Sequence, residues 1–203
     1  MHCKTSFLRP LFDYLEQFHP LAEAFKVELE KSCKLIHIKK SKHILSPIDT
    51  NVYLYFLVNG LVRGFVRDGK NDISTWFSTG NEIIGAIRHP HQRPSHSFEY
   101  LHALEECQLI CIPYTLIDSM YDHYPEANLI GRKLFALQHY AASERAILAR
   151  IPKAMGRYRK LQESGLDINR IPQRYLASYL GMRLETLSRI RHKFLTLDYR
   201  LCS

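Results

Sequence analysis

The first hydrophobic pattern along the chain has a helical period. Leu11, Leu15 and Phe18 recur three or four residues apart, and Leu21 or Ala22 continues the series. This spacing places the apolar side chains on one face of a helix. We therefore expect a short amphipathic helix near the start of the sequence.

Apolar runs rich in β-branched and aromatic residues then predict β-strands as far as about residue 113. These runs cover residues 34–38, 52–58, 61–66, 73–77, 100–103 and 107–112. The pair Asn59-Gly60 favours a two-residue hairpin turn, because both residue types tolerate positive φ. A second turn is expected at residues 68–71, which read Asp-Gly-Lys-Asn. Short strands with regular turns are typical of an antiparallel barrel or jelly roll.

The period becomes helical again over residues 125–149, which contain no proline after the first position. The apolar positions follow 4-3-4 spacing, with Glu144 in the one remaining place of the repeat, and are Ile130, Leu134, Leu137, Ala141 and Leu148. This repeat is typical of a helix that pairs with a parallel copy of itself. A stripe that faces the core of the same chain would give the same pattern. The spacing leaves both interpretations open, with dimerisation favoured.

Positive charge is concentrated after residue 150. The whole chain carries a net charge of +8, and residues 151–203 hold eleven Lys and Arg against four Asp and Glu, or +7 of it. A basic segment beside a nearly neutral one is expected of a protein that binds a polyanion. A solvated basic surface would have the same composition.

Residues 171–191 have the pattern of a helix-turn-helix. Pro172 can begin a first helix, since its missing N–H costs little there. Gly181 stands where a tight turn needs positive φ. The positions expected to be buried are Leu176, Ala177 and Leu180 on the first helix, and Leu184, Leu187, Ile190 and Phe194 on the second. A helix over residues 154–164, ending near Gly165, is expected to precede the motif.

The second helix has a polar face suited to the edges of DNA bases. Arg can bond bidentately to guanine, Glu can accept a hydrogen bond from cytosine, and Ser can bond bases or phosphate. The candidate base-contacting residues are Arg183, Glu185, Ser188, Arg189 and His192. Gln173 and Arg174, at the start of the first helix, are candidates for phosphate contacts. Arg157, Arg191 and Lys193 are interpreted as phosphate contacts or solvated charges.

Few other residues of the sequence suggest a chemical role. The chain has five scattered cysteines, which argues against a disulfide framework and for a reducing cytoplasm. Cys107 and Cys111 are expected to be buried on one face of a strand. No signal peptide, membrane span, catalytic triad, metal-ligand pair or phosphate loop is recognised, so no enzymatic activity, cofactor or metal is expected. The segment with His89, His91 and His96 is interpreted as a solvated loop.

These motifs resemble the Crp/Fnr family of bacterial transcription regulators over nearly the whole chain. The stretches that carry the resemblance are residues 55–60, 80–85, 171–173, 176–181 and 185–190. The resemblance implies an α+β fold with a cyclic-nucleotide-binding-like β-roll, a long dimerisation helix and a C-terminal winged helix-turn-helix. It places Glu185, Ser188 and Arg189 at the family's base-contacting positions, and we assign Thr186 to the same DNA-binding set. It also implies RNA polymerase as a partner.

Departures from the family pattern concern the effector. Cyclic-AMP-binding members have Glu after the second glycine of the pocket loop and a later Arg-Ser pair. This chain has Ala86 after Gly85, and Ser97-Phe98 in the later position. A buried cyclic phosphate would lack this arginine, and the two residues that could substitute for it, Arg88 and Arg93, lie in an irregular segment, so cyclic AMP is not expected to bind. Gly80, Gly85, Ala86, Ser97 and Phe98 are the candidates for lining a pocket whose ligand the sequence does not identify.

The short C-terminus also departs from the pattern. Residues 195–200 are expected to form at most a vestigial wing strand. The oxygen-sensing members hold an iron–sulfur cluster with closely spaced N-terminal cysteines, whereas this chain has only Cys3 in that region.

The predicted organisation is a β-roll over residues 1–124, a dimerisation helix over 125–150 and a DNA-binding domain over 151–203. The predicted function is that of a cytoplasmic, homodimeric regulator that binds a pseudo-palindromic operator in double-stranded DNA. The alternative is a small-molecule-binding β-roll that has lost DNA binding.

Overall fold

The structure of the chain is a computed structural model. It describes the backbone of residues 6–86 and 97–201 and the side chains of residues 7–86 and 97–194. After a 3-10 turn at Ser6–Leu8, the helices are α1 Arg9–Glu16, α2 Glu23–Ser32, α3 Tyr114–His123, α4 Pro125–Arg150, α5 Ala154–Gln162, α6 Gln173–Tyr179 and α7 Leu184–Leu201. The strands are β1 Lys34–Ile38, β2 His43–Leu45, β3 Tyr53–Asn59, β4 Val62–Asp68, β5 Asn71–Ser78, β6 Glu82–Ile84, β7 Glu99–Ala103 and β8 Cys107–Pro113.

The eight described strands form two four-stranded antiparallel sheets. The first has the order β1-β8-β3-β6 and the second the order β2-β7-β4-β5. Pairings such as Tyr55 with Cys111 and Val62 with Ala103 fix their registers. This arrangement confirms the predicted β-roll and the α+β class. Helices α2 and α3 and the three-residue strands β2 and β6 were not predicted, because short elements show little periodicity.

The predicted hairpin at Asn59-Gly60 is wrong. Strand β3 pairs with β6 and β8, whereas β4 pairs with β5 and β7, so Gly60 lies at a corner between the two sheets. Its φ is +112°, and an added Cβ would lie 2.5 Å from the Cys107 Sγ atom. Glycine is therefore needed here for a close approach as well as for its backbone angle. The turn predicted at residues 68–71 is confirmed, since Asp68 pairs with Asn71 across a two-residue loop.

Three apolar clusters hold the chain together. One joins α1, α2, α3 and the start of α4 to the first sheet, and includes Phe56 and Ile110. A second fills the interior of the β-roll, around Leu57 and Leu101. The third lies around the helix-turn-helix and also takes in Leu61 of the β-roll, so the C-terminal helices share a core with it.

The five apolar residues predicted as a dimer seam on α4 do not form one free surface. Ile130 is buried in the first cluster and Leu148 in the third, while Leu134 packs against the first. Ala141 is half-buried and Leu137 is exposed. The 4-3-4 stripe is therefore largely the side of α4 that packs against its own chain.

A second stripe on α4 has the same heptad spacing and faces away from these cores. It consists of Leu129, Ala136, Tyr140, Ser143 and Ile147. Tyr140 and Ile147 are 66% and 52% exposed. Large apolar side chains at such spacing on an exposed helix face are typical of a helix that pairs with a partner helix.

The C-terminal helix is longer than expected. Helix α7 continues to Leu201, so the wing strand predicted over residues 195–200 is wrong. These residues include neither glycine nor proline, and nothing in the sequence ends the helix there. None of the helices in the described ranges is long and apolar enough to cross a membrane.

Candidate nucleic-acid interface

Helices α6 and α7 form the predicted helix-turn-helix. Leu176, Ala177 and Leu180 are buried on the first helix, and Leu187 and Ile190 on the second. Gly181 has a φ of +59°, as the turn requires. The Met182 N–H donates to the Ala177 carbonyl at 3.0 Å and closes the end of α6. The buried apolar contacts and this turn fix the two helices against each other.

Leu184 was predicted to be buried but is 44% exposed. At 3.6 residues per turn, it lies about 90° around α7 from the mean direction of Leu187, Ile190 and Phe194. Phe194 is half-buried and packs against the third cluster. The buried stripe of α7 therefore begins one turn later than the sequence suggested.

Arg157 of α5 supports the turn. Its Nε donates to the Leu180 carbonyl at 2.7 Å, its Nη2 to Gly181 at 3.3 Å, and its Nη1 to Ile151 at 2.8 Å. The bonds to Leu180 and Gly181 satisfy carbonyls at the end of α6 that the helix leaves open, and the bond to Ile151 connects the turn to the end of α4. Arg157 was interpreted as a phosphate contact or a solvated charge. The structure instead shows a side chain engaged with the turn.

The predicted base-contacting residues of α7 share its outward side. Glu185, Ser188, Arg189 and His192 project within about 100° of one another, opposite the buried stripe. All four are exposed, as are Arg183 and Lys193, while Thr186 is half-buried. This surface presents an arginine, a carboxylate, a hydroxyl and an imidazole, which suit the donor and acceptor pattern of a major groove.

Two further predicted contacts lie at the start of α6. Gln173 and Arg174 are exposed. The Arg174 guanidinium lies over the ring of Tyr175, with Cζ 4.4 Å from the centroid, and donates to the Tyr175 hydroxyl. Arg191 donates to the Asn169 side chain at 3.0 Å, which holds it beside the loop before α6.

The candidate effector residues do not come together in one place. Gly85 lines a cavity of about 260 Å³ between β5, β6 and α4. Ala86 and Ser97 are buried beside Asn51 and Glu99 respectively, Phe98 is exposed, and Gly80 forms a turn with a φ of +113°. The histidines at 89, 91 and 96 lie outside the described residues.

The polar groups of this cavity were missed by sequence reasoning. Among the described residues they are Thr75, Ser78, Glu82, Glu99, Gln138 and Arg145. Burial raises the pKa of Glu82, and Glu99 accepts hydrogen bonds from the Thr75 hydroxyl and the Trp76 indole N–H. Gln138 and Arg145 are seven residues apart and so lie on one side of α4. This spacing was the one sequence signal that could have indicated the polar lining of the cavity.

The described cysteines are buried thiols. Burial raises the pKa of Cys33 to about 12 and that of Cys111 to about 11, and it also raises the pKa of Cys107. Thiols of this kind are poor nucleophiles and metal ligands near neutral pH. In residues 6–86 and 97–201, no group of three or more His, Cys, Asp or Glu could hold a metal ion.

Solved structures similar to this chain come from several bacteria. FixK2 from Bradyrhizobium japonicum has a TM-score of 0.68 and 20% identity, covering 82% of this chain and 86% of that chain. A protein from Eubacterium rectale, assigned to the Crp/Fnr family of transcriptional regulators, has a TM-score of 0.68 and 15% identity, covering 91% and 88%. CLP from Xanthomonas campestris, described as a c-di-GMP-responsive global regulator, has a TM-score of 0.65 and 15% identity, covering 85% and 91%.

No protein-family model and no curated protein sequence matches the chain. The structural similarity nevertheless extends over the β-roll, the long helix and the helix-turn-helix together. The chain therefore has the fold of the Crp/Fnr transcription regulators, with a cyclic-nucleotide-binding-like β-roll followed by a C-terminal helix-turn-helix.

Proposed function

We propose that this protein is a transcription regulator that binds a pseudo-palindromic DNA operator as a homodimer. The observation that carries the proposal is the outward face of α7, where Glu185, Ser188 and Arg189 are exposed beside one another. In a helix-turn-helix, the second helix enters the major groove with such a face toward the bases. The net charge of +7 over residues 151–203 supports this assignment, because it favours the approach to phosphates.

The proposed organisation assigns residues 1–124 to an effector domain, 125–150 to dimerisation and 151–203 to DNA binding. We assign the dimer contact to the exposed stripe around Tyr140 and Ile147, because Ile130 and Leu148 are covered by the chain itself. A dimer of this kind should match half-sites about 34 Å apart, or one helical turn of DNA. RNA polymerase is the proposed protein partner.

The cavity beside Gly85 is the proposed effector site, and its chemistry argues against cyclic AMP. Two carboxylates, Glu82 and Glu99, line it, and Arg145 is the one cation among its described lining residues. A cyclic phosphate is bound through charge-assisted hydrogen bonds from cationic donors, and carboxylates beside it repel its charge. We therefore propose that DNA binding is not controlled by cyclic AMP.

Selection of random duplex DNA by the purified protein tests the proposal. The selected duplex is then titrated at 50 and 200 mM salt beside a scrambled duplex of equal length. An enriched inverted repeat that is bound far more tightly than the scrambled duplex at both salt concentrations is expected of a dimeric sequence reader.

Failure to enrich any sequence, with weak binding that disappears at the higher salt, would contradict the proposal. Such binding would come from backbone charge alone. The alternative function, a small-molecule-binding β-roll without specific DNA binding, would then be favoured by the 260 Å³ cavity.

A further inference from the structure

An arginine is buried where the β-roll meets the helix-turn-helix. Arg63 of β4 is only 1% exposed. Its Cζ lies 4.3 Å from the ring centroid of Phe65 and 4.0 Å from that of Tyr175, which belongs to α6. Its Nε donates to the Ser74 hydroxyl at 2.8 Å. The guanidinium therefore contacts both the β-roll and the first helix of the helix-turn-helix.

These contacts continue to a residue of the proposed DNA interface. The Arg174 guanidinium lies over the same Tyr175 ring. We call Phe65, Arg63, Tyr175 and Arg174 the cation–aromatic stack. It connects the second sheet of the β-roll to the start of α6, where contacts to DNA phosphates are proposed.

Hydrogen bonds to strand β5 fix α6 along the edge of the sheet. The Ser74 N–H donates to the Ser178 hydroxyl at 3.0 Å, and that hydroxyl donates to the Asp72 carbonyl at 2.9 Å. The Ser74 hydroxyl donates to the Tyr175 carbonyl at 3.1 Å. Strand β5 is the last strand of its sheet, so the Ser74 N–H and the Asp72 carbonyl are backbone groups that no neighbouring strand pairs.

Burial of Arg63 makes its position depend on α6. The nearest carboxylate, that of Asp72, lies 3.8 Å from Nη1, and the buried Nη2 has no hydrogen-bond partner among the described residues. The ring faces of Phe65 and Tyr175 therefore provide most of the stabilisation that offsets the cost of burying the Arg63 charge. A cation–ring contact is strongest where water is excluded, so the loss of the Tyr175 ring would leave a costly buried charge. Together with the hydrogen bonds to β5, this contact holds α6 against the second sheet.

We propose that Arg63 is a positioning residue that determines which half-site spacing the dimer accepts. By holding Tyr175 and α6 against β5, it fixes the recognition helix α7 relative to the β-roll and to α4. In a dimer joined through α4, this fixes the separation of the two recognition helices. The inference depends on the proposed function, because spacing has meaning only for a dimeric DNA reader.

The experiment measures binding to the selected inverted repeat with its half-sites moved closer or farther apart by one and two base pairs. Each added base pair displaces a half-site by about 3.4 Å and rotates it by about 34°. A single half-site duplex is measured in parallel. The proteins are the wild type, Arg63→Gln and Ser178→Ala, which weakens the same junction without removing a buried charge.

The matched control is Arg67→Gln. Arg67 lies on the same strand, and its guanidinium contacts the Asp72 carboxylate and the Tyr100 ring, whereas α6 is bonded to the Asp72 backbone carbonyl. Wild type and Arg67→Gln should lose roughly tenfold in affinity for each base pair of displacement. Arg63→Gln and Ser178→Ala should lose less than about threefold, while their affinity for the single half-site stays within about threefold of wild type.

Equal spacing preference in all four proteins would overturn the positioning role and leave the DNA-reading function intact.

A distance measurement tests the same point without DNA. A spin label at Glu185→Cys, in a protein with Cys3 and Cys202 replaced by serine, reports the separation of the two α7 helices in the dimer. The distribution should be narrow in wild type and broad in Arg63→Gln. Equal widths would overturn the inference, whereas the absence of any distance between protomers would contradict the dimeric function itself.

Discussion

At the scale of single residues, the direction of each side chain on α7 separates structural roles from proposed recognition roles. Leu187 and Ile190 are buried in the third cluster, and Glu185 and Arg189 point the opposite way. The sequence predicted this division from polarity and spacing alone. It wrongly predicted that Leu184 is buried, because periodicity shows the direction of an apolar stripe better than the residue at which the stripe begins.

Replacement of Glu185 or Arg189 by alanine should each cost about 1–3 kcal/mol of binding free energy on the selected operator. Each loss should be accompanied by a relaxed preference at one base position, since the lost side chain would no longer distinguish base edges. Titration against operators substituted at single positions measures both effects. Lys193→Ala, at an exposed residue interpreted as a phosphate contact, should weaken all sequences alike. Wild-type affinity and base preference in both alanine variants would show that this face does not read bases.

His102 gives the junction between the β-roll and α6 a dependence on pH. Burial, His43 and Arg63 lower the pKa of His102, and Tyr175 and Arg174 face it from α6. Because its pKa is lower in the folded than in the unfolded protein, the unfolded state binds the proton more readily. The free energy of unfolding should therefore fall as pH drops through the ordinary histidine range near 6.5.

Denaturant unfolding of wild type and His102→Gln at pH 7.5 and 5.5 measures this effect. The wild type should lose more stability than the variant over this interval. Since the other ten histidines are common to both proteins, the difference between the two losses isolates His102. An equal loss in both proteins would mean that His102 is protonated as readily in the folded state as in the unfolded state.

At the scale of elements, α4 carries two apolar stripes, and the sequence indicated only one of them. The stripe through Ile130 and Leu148 packs within the chain, and the stripe through Tyr140 and Ile147 is exposed. Both have heptad spacing, so periodicity could not show which one faces a partner. The position of the β-roll and of the helix-turn-helix against α4 makes that distinction.

Tyr140→Glu and Ile147→Glu should each convert the dimer to a monomer, because a charge at a paired apolar position would be desolvated. Ala142→Glu is the matched control. It adds the same charge at an exposed position about 140° around the helix from the stripe. Sedimentation equilibrium measures the dissociation constants, and a rise of at least about 100-fold is expected for the stripe variants alone. Equal dimerisation by all three proteins would exclude this face of α4.

At the scale of the whole molecule, the β-roll and the helix-turn-helix share a core. Leu61 and Leu104 of the roll pack in the same cluster as Leu148 of α4 and Leu176 of α6. Arg170 and Glu105 add an ion pair between the same parts, with a nitrogen–oxygen distance of 2.6 Å. The three segments therefore should not unfold independently.

Thermal unfolding should thus be a single transition. The fluorescence of Trp76, the only tryptophan, reports on the β-roll, and circular dichroism reports mainly on the helices. The two signals should coincide in the wild type, and Leu61→Ala should shift both together by about 2–5 kcal/mol of stability. Leu109→Ala, which removes an apolar side chain from the interior of the β-roll, is unfolded in parallel so that its effect on the two signals can be compared with that of Leu61→Ala. Separate transitions for the two probes would show that the shared core does not couple them.

The sequence by itself determined six of the eight described β-roll strands, the long helix and the helix-turn-helix, because each follows from local periodicity and from residues such as Pro172 and Gly181. It also determined the polar face of α7, since direction around a helix follows from spacing. It could not determine that Asn59-Gly60 turns a corner between sheets, because strand pairing depends on residues distant in the chain.

Only the tertiary structure showed which stripe of α4 is free, that Arg157 supports a turn, and that Arg63 lies against Tyr175. Each of these depends on contacts between residues far apart in the sequence. Local patterns specify what a segment can form, and packing decides which of its surfaces is covered.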